Sequence, residues 1–63
     1  MIAPLLAAMR NDPMSGVRWR AAQSLSKVGD TSLVGEMKEA LSKEEDPLAR
    51  EYIEDAIATL EGP

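Results

Sequence analysis

Asp12-Pro13-Met14-Ser15-Gly16-Val17-Arg18-Trp19-Arg20-Ala21-Ala22-Gln23-Ser24-Leu25-Ser26-Lys27-Val28-Gly29-Asp30 carries the plainest structural signals in the chain. It opens on a turn, because Pro13 has no amide N–H and Asp12 and Ser15 are natural helix N-caps. It closes on Gly29-Asp30-Thr31, a helix stop followed by a fresh capping residue. Between the two turns Val17, Ala21, Ser24, Leu25 and Val28 fall within an arc of about 100° when each residue advances about 100° around a helix axis. This spacing predicts an amphipathic helix over residues 15–28 with that arc turned inward.

The same criteria place three more helices at 2–10, 31–43 and 47–60. Ile2, Leu5, Leu6 and Met9 share one face of the first, and Pro4 is tolerated in its first turn, where no N–H partner is lost. The third aligns Leu33, Val34, Met37, Ala40 and Leu41, and the fourth aligns Ala49, Ile53, Ala56, Ile57 and Leu60. Glu45-Asp46-Pro47 punctuates the last junction. The fold class expected is all-α, four helices in two antiparallel hairpins.

Sliding the second half over the first until Val34 falls on Ile2 also pairs Met37 with Leu5, Leu41 with Met9 and Ile57 with Leu25, without a gap. At the same offset Arg50 falls on Arg18, Ala40 on Ala8 and Ile53 on Ala21. Self-similarity at one fixed period is the mark of a repeat, so residues 1–63 read as one domain of two units, 1–30 and 31–63.

Asp12-Pro13, Val17-Arg18, Ala21-Ala22, Ser24-Leu25 and Val28-Gly29-Asp30 resemble the HEAT-like repeat of the phycobilisome-lyase type, and Asp46-Pro47, Ala49-Arg50, Ala56-Ile57 and Leu60 follow it more loosely. The resemblance implies a short α-solenoid with the second helix of each unit lining an inner binding surface. It also implies a hydrogen-bonded ladder in which Asp12 or Asp46 faces Arg18 or Arg50. Because the interval from Asp12 to Val17 is longer than that from Asp46 to Ala49, the two turns are expected to differ. Leu60-Glu61-Gly62-Pro63 reads as a stop.

Composition limits what such a chain does. Neither Cys nor His occurs, which removes disulfides, thiolate metal sites and the commonest general base. Glu44-Glu45-Asp46 lacks the alternating ligands of a calcium loop, and Glu51 with Asp55 has no apolar surround to raise a carboxyl pKa. No catalytic residue, metal or cofactor is expected, and the chain is read as a non-enzyme. No apolar run reaches a membrane span and no signal peptide is recognised, so a cytoplasmic protein without membrane contact is expected. The net charge of −4 argues against nucleic acid as a partner. That charge is uneven: residues 1–35 balance at +2 and residues 36–63 at −6.

Trp19 lies roughly 170° from the centre of its helix's apolar arc. With Arg20, Ala22, Gln23, Ser26 and Lys27 it forms a candidate partner-binding face, since Trp and Arg are the types enriched at interface hot spots. Glu51, Glu54 and Asp55 continue that face as an acidic surface. The functional expectation is binding of another protein, with self-association through unlike charged ends as a further one, since solenoids normally need about three units for stability. The resemblance implies a second reading, an accessory in bilin handling by lyases. A fragment of a longer repeat array is the third.

Overall fold

The computed structural model describes residues 1–62 and contains α1 (Ile2–Asn11), α2 (Ser15–Val28), α3 (Val34–Lys43) and α4 (Pro47–Glu61), with a 3-10 turn at Thr31–Leu33 leading into α3. Pro63, the last residue of the expected second unit and its stop, lies outside the described residues. No strand occurs among the described residues, and the fold is all-α.

Local chemistry explains where the helices begin. Asp46 caps α4 by accepting the Ala49 N–H at 2.9 Å, and Pro47 takes the first helical position, where its missing N–H costs nothing. Asp30 accepts the Ser32 N–H at 2.9 Å, which tightens residues 31–33 into a 3-10 turn, so the α-helix expected from residue 31 begins only at Val34. At α2 neither expected cap serves. Met14 occupies the N-cap position without a side-chain bond, while the Asp12 carboxylate takes the N–H of Met14 itself at 2.9 Å.

α2 packs against both α1 and α4, and α3 packs against α4. Met9, Leu25, Met37 and Ile53 are the largest fully buried side chains, joined by Ala21, Ala22, Ala40, Ala56, Ile57, Leu33 and Leu60. The alanines let neighbouring helices approach closely. The molecule is only 16 Å across its thinnest axis, so each helix keeps one side in water. Gly29 ends α2 at a point where space is short: a Cβ there would lie 2.9 Å from the Leu25 carbonyl oxygen and 2.5 Å from Leu33 Cδ1.

The inward face of α2 differs from the arc expected. Val17 is 39% and Val28 56% exposed, and Ser24 is exposed, whereas Ala22 is wholly buried and Arg18 half-buried. The helix has two neighbours, α1 on one side and α4 on another, and its buried sector is centred between them. In α1, Ile2 likewise sits at the exposed end of its face. The faces expected for α3 and α4 are the buried or half-buried ones.

The helix limits recur at the same period as the side-chain pattern. The step from Ile2, which begins α1, to Val34, which begins α3, equals the step from Ser15, which begins α2, to Pro47, which begins α4.

Candidate interaction site

The residues expected to form one partner-binding face are not all on the surface. Trp19 is half-buried and stacks on Tyr52 of α4, with ring centroids 4.5 Å apart and planes inclined by 22°. The indole therefore closes the junction of α2 with α4, because the buried sector of α2 is rotated toward it. Ala22, expected beside it on the open face, is in the core. Arg20 is exposed and lays its guanidinium carbon 5.4 Å from the Trp19 ring centroid, in cation–π contact. Gln23 and Lys27 are exposed, and Ser26 is half-buried, donating from its hydroxyl to the Gln23 carbonyl at 2.6 Å. Glu51, Glu54 and Asp55 are all exposed on α4.

The expected aspartate ladder has a different acid in it. Arg18 donates from Nε to Glu44 Oε1 at 2.7 Å and from Nη2 to Glu44 Oε2 at 3.0 Å, a forked pair between the helix pairs. Its Nη1 donates to the backbone carbonyl of Asp12 at 2.8 Å, so Asp12 contributes a main-chain oxygen. Asp46 is occupied as the cap of α4. Arg50 donates from Nη1 to the carbonyls of Leu41 at 2.8 Å and Glu44 at 2.9 Å. Glu44 is the one buried charged residue among those described, and the Arg18 hydrogen bonds hold its carboxyl below the usual glutamate range against the opposing effect of burial. The same bonds push Arg18 further up.

The two turns differ, as expected, in their caps, since Asp46 caps α4 and no side chain caps α2, but two hydrogen bonds recur in both. The Asp12 carboxylate accepts the N–H of Met14, and the Glu44 carboxylate accepts the N–H of Asp46 at 3.0 Å, the same step along the chain. The Asp12 carbonyl takes Nη1 of Arg18, and the Glu44 carbonyl takes Nη1 of Arg50, again at one spacing. Glu44 follows Asp12 by the interval that separates the helix starts, and the Asp-Pro pairs drew attention to the wrong acid.

Outside this junction Arg10 bridges from α1 to Glu36 and Glu39 of α3, and Lys38 meets Glu61 at 3.1 Å. A surface pocket of about 370 Å³ lies between the hairpin tips, lined by Met9, Asp12, Arg18, Lys43 and Glu44 among others, and its two arginines are already paired. Among the described residues no three acidic side chains are grouped to hold a metal ion, and no helix is long and apolar enough to cross a membrane.

Most of the exposed large apolar side chains lie in the first half of the chain. Met1, Ile2, Met14, Val17 and Val28 belong to the first helix pair and only Leu48 to the second. The outer side of α4, carrying Glu51, Glu54 and Ala58, is polar and exposed. No family model, curated protein or solved structure matches the chain.

Proposed function

We propose that this chain is a non-enzymatic, cytoplasmic protein–protein interaction module, a short stack of two HEAT-like helix pairs whose partner docks on the free side of α1 and α2. One comparison carries the reading. Val17 and Val28 are 39% and 56% exposed, while Ala49 and Leu60, their counterparts in the second unit, are 0% and 9% exposed. At these two positions the first pair leaves exposed what the second pair buries. Exposed apolar groups gathered on one face, with polar residues around them, are what an interaction surface offers.

This reading moves the partner site from the Trp19 face to the Val17, Val28 and Met14 face, with Arg20 and Lys27 at its edge. The test is photo-crosslinking inside cells from single probe positions. A probe replacing Val28 is expected to give adducts with another polypeptide, and one replacing Gly35, whose side points into open space, is expected to give none. Equal yields from both, or no adduct from position 28, would refute the assignment.

A further inference from the structure

We infer that the occupant of the free α1–α2 face is a second copy of this chain, stacked head to tail so that its acidic α4 side meets the basic side of α2. This rests on the interaction reading above and names its partner.

Besides apolar packing, one ionic and one aromatic side-chain contact tie α2 to the second pair. The first is Arg18 with Glu44 and the second is Trp19 with Tyr52. Each contact has a counterpart when both pairs are advanced by one period, the interval that separates the helix starts. The arginine becomes Arg50 in one copy, and Glu44 becomes Asp12 in the next. The indole becomes Glu51 in one copy, and the phenol becomes Arg20 in the next. Both counterparts are opposite charges.

The local bonding agrees with this. Arg50 is anchored by Nη1 to the Glu44 carbonyl, as Arg18 is to the Asp12 carbonyl, and among the described residues no carboxylate meets its remaining Nε and Nη2 edge. Asp12 is held by the Met14 N–H as Glu44 is by the Asp46 N–H, and among the described residues it forms no ion pair. The chain therefore carries one complete arginine–acid rung and two half rungs at opposite ends. Val17 and Val28 lie beside Arg20 on the receiving face and lose their exposure in the contact. Charge balance of +2 and −6 in the two halves favours unlike ends over like ones. Such a contact uses two different surfaces and runs on as a chain of copies, not a closed pair.

Sedimentation of the full chain up to about millimolar, at about 0.05 M and about 0.5 M salt, tests it. The wild type is expected to form a concentration-dependent ladder of species that shortens at high salt. Arg20→Glu and Glu51→Arg, both at exposed positions, are each expected to weaken association by about tenfold or more, and the double charge swap to restore it. Val28→Asp is expected to weaken it as well, and circular dichroism confirms that each variant stays helical. A wild type monomeric throughout overturns the inference, as does association that ignores both single charge reversals or stops at a dimer sensitive only to Val28→Asp. If position 28 still crosslinks to a different protein while the chain is monomeric, the module survives and the second copy does not; if neither occurs, both fall.

Discussion

Arg18 and Glu44 hold the two helix pairs together with a forked contact, Nε to Oε1 at 2.7 Å and Nη2 to Oε2 at 3.0 Å, and the acid side chain is almost wholly out of water. Replacing Glu44 by Ala strands a half-buried guanidinium and frees the Asp46 N–H. The expected loss is about 1.5–3 kcal/mol, the range for hydrogen bonds to charged groups, measured by urea unfolding at neutral pH.

The same contact sets an acid sensitivity. Glu44 titrates lower in the folded chain than its ordinary value of 4.5, so its contribution is fully present well above pH 4.5 and is lost as pH falls through 4.5 toward the folded value. Unfolding free energy measured from pH 7 downward is expected to drop in that window. In Glu44→Gln the drop is expected to be shallower; an unchanged pH profile would show that other carboxylates set it.

Trp19 and Tyr52 should be energetically coupled across the α2–α4 junction. A double-mutant cycle of Trp19→Leu and Tyr52→Leu is expected to give a coupling of about 0.5–1.5 kcal/mol, the worth of an aromatic pair beyond its area. A coupling near zero would mean that each ring packs independently.

Gly29→Ala tests the tight end of α2. The added methyl meets the Leu25 carbonyl oxygen at 2.9 Å as well as Leu33, so backbone must shift, and a loss of about 1–3 kcal/mol is expected by thermal unfolding. Gly35→Ala, placed in open space on a helix, is expected to stabilise by about 0.5–1 kcal/mol.

Buried and exposed positions separate in a further set of variants. Ile53→Ala, at a fully buried position, is expected to cost about 2–5 kcal/mol, enough to unfold most of so small a domain. Val17→Ser and Val28→Ser are each expected to stay within about 0.5 kcal/mol for the monomer, because both side chains are substantially in water. A large loss at Val28 would restore the inward arc read from the sequence.

Helix positions were legible in the sequence because Pro13, Gly29 and Pro47 punctuate the chain and the α3 and α4 stripes are unbroken. The rotation of α2 was not. Two of its apolar residues, Val17 and Val28, are 39% and 56% exposed within the chain, and a hydrophobic arc cannot tell an internal contact from an external one. For that reason Trp19 reads in the sequence as an open anchor and Ala22 as surface. Glu44 is concealed differently: it lies in an acidic run, where a buried carboxylate and a solvated one have the same letter. Advancing Asp12 by the offset that carries Ile2 onto Val34, a period already visible in the side chains, singles it out.

Because the only tryptophan and only tyrosine in the chain face each other across the α2–α4 boundary, every aromatic chromophore reports on one place. Near-ultraviolet dichroism and indole emission will follow separation of the two hairpins and remain silent to fraying of α1 or α3. Any mismatch between those optical signals and backbone dichroism during heating would thus expose hairpins that part before they melt.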